Sequence, residues 1–190
     1  IMPSLVGSEM CIRDRYWSKL LDKDKIKEIG DFIDNNFHEY ESKKSYDKNL
    51  KFCSVKVIGW YKVKHLLNDV VTKCFATNRD QYGFNLWPVL DSDFINYNTY
   101  SSGHKYDWHK DYEPESSTTD TKFTVLINLS TKKYEGGNLQ HYSHGILDIK
   151  ELNDPGSVVM LPSYIYHRVT PITKGERKSL AIFMRGPRFI

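Results

Sequence analysis

The chain has 190 residues, enough for one well-buried core, so a single domain is expected. Hydrophobic residues at 39% and charged residues at 27% are ordinary for a globular protein, and a net charge of +3 with no dense Lys/Arg stripe among aromatics argues against nucleic acid as a partner. No apolar run approaches the ~20 residues that cross a bilayer, so no membrane span is expected.

Ile1 to Arg15 (IMPSLVGSEMCIRDR) resembles translated sequencing-adapter sequence, with a disordered terminus as the alternative, and in either case carries no fold information. That start also lacks a charged segment followed by an apolar one, so no signal peptide is expected and the cytoplasm is the expected location. The domain is then 16–190, helical over 16–80 and strand-rich over 82–190. From Ser18 to Phe37 the residues Leu20, Leu21, Ile26, Ile29, Phe32 and Ile33 recur near helical spacing, with Asp22 or Asp24 as N-cap. Residues 39–51 are polar and read as a loop, and Ser54 to Val57 alternates weakly. A second helix is predicted over Val63 to Ala76, where Leu66, Leu67, Val70, Val71 and Phe75 form one stripe.

After Asn78 the period shortens. Strands are predicted at Gly83–Val89, Phe94–Tyr100, Tyr106–Asp111, Lys122–Leu129, Asn138–His141, Gly145–Ile149, Ser157–Leu161, Tyr166–Pro171 and Ser179–Met184. Turn signals such as Glu135-Gly136-Gly137, Asp154-Pro155-Gly156 and Lys174-Gly175 separate them. Many short strands behind two helices predict a mainly β sandwich or barrel with N-terminal helices, and the aromatic share of 14%, including 13 Tyr, agrees.

Three cysteines (Cys11, Cys53, Cys74) form no C-x-x-C pair, which suggests reduced thiols and neither a zinc site nor a disulfide framework. The chemistry is carried by His109-Lys110-Asp111. On a strand, His109 and Asp111 project to one face while Lys110 points away. An imidazole and a carboxylate side by side are two corners of a facial triad, and His167 is the best candidate for the third. Such a set leaves three open positions on Fe(II), enough for a chelating cosubstrate and oxygen. H-x-D alone recurs by chance, but Arg177 follows His167 and presents a fork that grips a carboxylate from two sides. A three-residue hairpin loop, Thr173-Lys174-Gly175 with Gly175 left-handed, would bring both to one interior face and set Arg177 opposite Pro171, about 13 Å along the strand from His167. His141 and His144 bracket a turn and read as solvated residues; His38, His65 and His104 receive no role.

Taken in order, these pieces resemble the prolyl 4-hydroxylase-like branch of the 2-oxoglutarate/Fe(II) dioxygenases. The resemblance runs from Asn96 to Phe189 through Tyr100-x-x-Gly103-x-x-Tyr106-x-x-His109-x-Asp111, Tyr134-Glu135-Gly136-Gly137-Asn138-Leu139, Pro155-Gly156-Ser157, Leu161-Pro162-Ser163, His167-Arg168-Val169-x-Pro171 and Gly175-Glu176-Arg177-Lys178-Ser179. The ending Arg185-Gly186-Pro187-Arg188-Phe189 is similar to phage and bacterial members. The resemblance implies a double-stranded β-helix (a jelly-roll, cupin-like barrel), Fe2+ on His109, Asp111 and His167, 2-oxoglutarate on Arg177 with Tyr100 as a further contact, O2 as co-reactant, and ascorbate dependence. It further implies hydroxylation of a prolyl or other amino-acid side chain, in a peptide, protein or free amino acid, with release of succinate and CO2. Rival readings are a non-catalytic β-helix binding module and an alkylated nucleic-acid demethylase; the latter carries a second Arg soon after the first, whereas here Lys178 follows Arg177 and the next Arg is Arg185.

Overall fold

A computed structural model of the protein describes residues 14–38, 40–41, 50–112 and 119–188. Within Ile1 to Arg15, residues 1–13 lie outside that set, as do 39, 42–49, 113–118, Phe189 and Ile190. In chain order the elements are β1 (Tyr16–Lys19), α1 (Lys23–Asn36), β2 (Tyr40–Glu41), β3 (Lys51–Phe52), β4 (Ser54–Gly59), α2 (Trp60–Thr77), β5 (Phe94–Tyr100), β6 (Lys105–His109) and β7 (Thr119–Asn128). There follow β8 (Glu135–Gly136), β9 (Leu139–Tyr142), β10 (Ile146–Asp148), β11 (Ser157–Pro162), β12 (Tyr166–Val169), β13 (Ile172–Lys174) and β14 (Arg177–Pro187).

Asp22 settles the start of α1: its carboxylate accepts the Lys25 N–H at 2.8 Å, so residues 18–21 are free to form strand and turn instead of helix. Ile26, Ile29 and Ile33 form the buried stripe of α1, and Val63, Leu66, Leu67, Val70 and Cys74 that of α2. Both stripes pack on one face of a seven-stranded sheet ordered β1-β11-β7-β14-β5-β4-β2. The opposite sheet has five strands, β10-β9-β12-β6-β3, and β13 and β8 pair separately. This is the expected double-stranded β-helix. Alternation along β7 shows the layering: Phe123, Val125 and Ile127 join the helices in one core, while Leu126 packs on a second core between the sheets with Leu139, Val159 and Val169.

Three expectations change. Residues 16–80 are not purely helical, since β1, β2 and β4 extend the large sheet and β3 the small one. Gly83–Val89 is not a strand: Phe84, Leu86 and Val89 pack on the helical core, Pro88 has no N–H for a ladder, and Trp87 reaches only the Arg185 carbonyl at 2.8 Å. Nor do His167 and Arg177 share a hairpin. The chain leaves β12 in the small sheet, pairs β13 with β8, and enters the large sheet as β14, where Arg177 lies opposite Tyr100 rather than Pro171. Gly175 is left-handed as expected (φ 79°), but it turns the chain between sheets.

Candidate functional site

β6 and β12 are neighbours in the small sheet, with His109 directly opposite His167. Asp111 lies two residues beyond His109, and its N–H is tied to the Ser163 carbonyl at 3.1 Å. The three side chains converge as the sequence suggested: one ligand atom from each falls within 4.8 Å of the others. His109 Nε2 is 3.6 Å from Asp111 Oδ1, and His167 Nε2 is 3.3 Å from Asp111 Oδ2. Facial ligands about 2.1 Å from one metal stand about 3.0 Å apart, so a modest contraction would let these three hold an ion.

Backbone carbonyls orient both imidazoles. His109 Nδ1 lies 2.7 Å from the Asp107 carbonyl and His167 Nδ1 lies 3.0 Å from that of Ile165. A carbonyl only accepts, so each Nδ1 carries a proton, and each Nε2, once deprotonated, offers its lone pair to a metal. The Thr124 hydroxyl donates to Asp111 Oδ2 at 2.6 Å, and the Tyr106 ring stacks on His109 at 3.5 Å. Electrostatics agree with the donor set. Burial, then the charge of His167, pushes His109 down to about 4. Burial would raise Asp111, but its hydrogen bond to His167 and the charges of His167 and His109 bring it to about 2. At His167 burial opposes protonation, yet the hydrogen bond and charge of Asp111 outweigh it and raise the pKa. A group of two imidazoles and one ionised carboxylate suits a divalent iron.

Beyond the triad a cavity of about 80 Å³ runs inward, and Arg177 and Tyr100 line it together with Lys51, Leu126, Leu139 and Ser179. Arg177 is 2% exposed and donates to Ser179 Oγ at 3.0 Å, with its guanidinium carbon 5.5 Å from the Tyr100 ring centre. Among the described residues no carboxylate lies within 4.0 Å of it. An interior guanidinium without a counterion is costly, and a carboxylate-bearing ligand would neutralise it. The Glu135-Gly136-Gly137 turn makes room: at φ 63°, a Cβ on Gly137 would collide with Ile172 and come within 3.1 Å of Arg177 Cδ. Tyr100 is buried, and that burial drives its pKa far up, so it stays a neutral phenol.

Sequence reasoning overlooked Lys51, Thr124 and Ser179. Ser179 was within reach, because it sits two residues after Arg177 on the same strand face. Lys51 and Thr124 arrive through long-range pairing and carry no local signal. His141 needs correction: it lies in β9 opposite His167, fully buried, 3.4 Å from Asp14 Oδ2 and from Arg15 Nη1. The strand runs one residue past it before the turn begins, which turns it inward; His144 is the exposed turn residue.

With this geometry in place, comparison with known proteins is decisive. Residues 95–185 match the 2OG-Fe(II) oxygenase superfamily, and the match spans the triad and Arg177. Over those residues the chain is similar to 2OG-Fe(II) oxygenases, and its fold is similar to that of solved prolyl 4-hydroxylases. It is 35% identical over 88 residues to a PKHD-type hydroxylase of Alteromonas mediterranea (43% of this chain, 38% of that one) and 38% identical over 79 residues to one of Synechococcus (40% and 35%). The matched stretches thus span well under half of those relatives. The fold is similar to a Pseudomonas putida prolyl-4-hydroxylase (TM-score 0.72, 15% identity, 93% of this chain and 95% of that one). It is also similar to a Trichoplax adhaerens prolyl hydroxylase solved with a hypoxia inducible factor peptide (0.70, 16%, 92% and 84%). The family uses Fe2+ and 2-oxoglutarate, with O2 as the other cosubstrate.

Proposed function

We propose that the protein is an iron(II)- and 2-oxoglutarate-dependent hydroxylase whose metal sits on His109, Asp111 and His167 and whose cosubstrate reaches Arg177. The observation that carries this reading is the buried Arg177 guanidinium, without a carboxylate partner among the described residues, in a cavity that opens onto the triad. Bound iron, 2-oxoglutarate and O2 together supply the oxidation: a C–H bond of the substrate becomes C–OH while 2-oxoglutarate is cleaved to succinate and CO2. The residues fix the geometry of that exchange. Arg177 and the Ser179 hydroxyl grip the distal carboxylate, and the Tyr100 phenol closes the inner wall. Leu126, Leu139 and Val169 exclude water from the stem of the cosubstrate. Thr124 donates to Asp111 Oδ2 and would orient that carboxylate for the metal.

The relatives support a choice of substrate class. Hydroxylases that act on prolyl residues share this fold, and one was solved with a peptide, so a prolyl or other amino-acid side chain is the reading we adopt. Incubating the full chain with Fe(II), 2-oxoglutarate and pools of proline-containing peptides tests it. Iron-dependent succinate release with a peptide mass gain of one oxygen atom is expected; succinate release that neither needs iron nor responds to any peptide would defeat it.

A further inference from the structure

The alternation of β14 runs past the triad. Its inward residues Arg177, Ser179, Ala181 and Phe183 line the inner cavity, and the next inward residue, Arg185, lines a second and wider cleft of about 530 Å³ at the mouth. Tyr106, Asp111 and Phe183 belong to both, so the two spaces meet at the metal site. Arg177 and Arg185 are eight residues apart, about 26 Å along the strand, with the triad between them. Phe183 and Arg185 are separated by only about 6.6 Å of strand, the reach of one small side chain.

Apart from Asp111, whose charge faces the metal, the charged groups among the described lining residues of this cleft are both cations, Lys110 and Arg185. Arg185 is anchored, since one N–H reaches Asp93 Oδ1 at 2.9 Å while the other Asp93 oxygen accepts the Leu90 N–H at 2.7 Å. That uses one of the five guanidinium donors of a side chain that lines the cleft. The Lys110 ammonium lies 4.7 Å from the Tyr166 ring centre, and among the described residues no carboxylate is within 4.0 Å of it. Thr121 adds a hydroxyl, and Tyr106 and Phe183 supply apolar walls for the stem of a side chain.

We infer that the substrate carries a carboxylate within a few bonds of the carbon that reacts, and that Arg185 and Lys110 receive it. This rests on the hydroxylase reading above and narrows it to acidic substrates. Two fixed cations beside apolar walls select a single acid on a short stem. A polynucleotide would need a longer basic track than a chain of net charge +3 offers.

An array of peptides with a central proline, each flanking position carrying every residue in turn, tests the inference. Half of the array ends in a free carboxylate and half in an amide. The full chain with Fe(II) and 2-oxoglutarate is bound to it under nitrogen, and air is then admitted for mass analysis. Asp or Glu at one or more positions, or the free terminus, should bind about ten-fold better than Asn, Gln or the amide, as one charge-assisted contact gives. Arg185→Glu should shift the preference to Lys or Arg at the same position. Arg185→Gln and Lys110→Gln should each weaken it while 2-oxoglutarate binding stays as in the unaltered chain, which also verifies folding. Equal binding of acid and amide members everywhere, a preference that survives Arg185→Glu, or tighter capture of a single-stranded oligonucleotide than of any peptide would overturn the inference. An acid preference with no mass gain would instead remove the hydroxylase reading and leave the charge selection standing.

Discussion

The two ends of this barrel are built on different terms. At the inner end Arg177 is 2% exposed, Tyr100 is 3% exposed, and the polar groups converge on about 80 Å³. At the mouth Arg185 retains 47% of its side-chain exposure and faces about 530 Å³. Burial makes the inner end exacting, because each polar group there lacks water and needs one matching ligand atom. Water at the mouth tolerates mismatch, so on the proposed reading that end can vary with the substrate while the inner end keeps the same cosubstrate. The difference teaches why chemistry and substrate separate in such a fold.

Substitutions should break the inner end abruptly. Asp111→Ala has the largest expected effect: iron content after gel filtration falls to background while the melting profile persists, because the role proposed for Asp111 is to hold the metal and it lies outside both apolar cores. Iron retained at one equivalent would remove Asp111 from the site. Acid should act almost as strongly. A protonated imidazole cannot ligate, and His167 has a pKa raised above 6.5 by Asp111, whereas His109 sits near 4 and Asp111 near 2. Iron affinity therefore weakens as pH falls through the His167 pKa, because a proton there competes with the metal. An affinity that stays flat from about pH 8 to about pH 5 would contradict that order of protonation.

Arg177→Ala comes next, with 2-oxoglutarate affinity reduced about ten- to a hundred-fold and iron content unchanged, since a charged bidentate pair contributes roughly 1.5–3 kcal/mol. Arg177→Lys keeps the charge without the fork and should fall between; titration calorimetry reads both. The smallest effect sharpens the contrast from outside the barrel. Lys178 points away from Arg177, yet it is not idle: its ammonium is 2.8 Å from Asp34 on α1, which Lys56 also meets at 2.7 Å. Lys178→Ala should cost about 0.2–1 kcal/mol of stability, discounted for its partial exposure, and leave 2-oxoglutarate affinity alone. A change in that affinity would mean that the two faces of β14 are not independent.

How much of this was legible in the sequence depended on the range of the interaction. His109 and Asp111 were readable because two residues on a strand share a face, and that rule needs no partner. Arg177 was readable as a buried fork, but the hairpin drawn for it was not the one that forms. Turn chemistry gives Gly175 its left-handed conformation without saying which sheet the next strand joins, and that choice is made by Tyr100, 77 residues away. Gly83–Val89 has the alternation of a strand without a neighbour to pair with. Lys51 reaches the cavity through its pairing with Tyr106, a contact that no local pattern could announce.

The central claim is that one small ligand bridges the triad and Arg177. Equilibrium binding of 2-oxoglutarate under nitrogen, with and without Fe(II), tests it most directly. The account predicts one equivalent bound per chain, held at least about ten-fold more tightly with iron than without it, as a second anchoring point requires, and Asp111→Ala returning the affinity to its iron-free value. The same affinity with and without iron would show that the metal and the guanidinium do not share a ligand, and would contradict the account at its root.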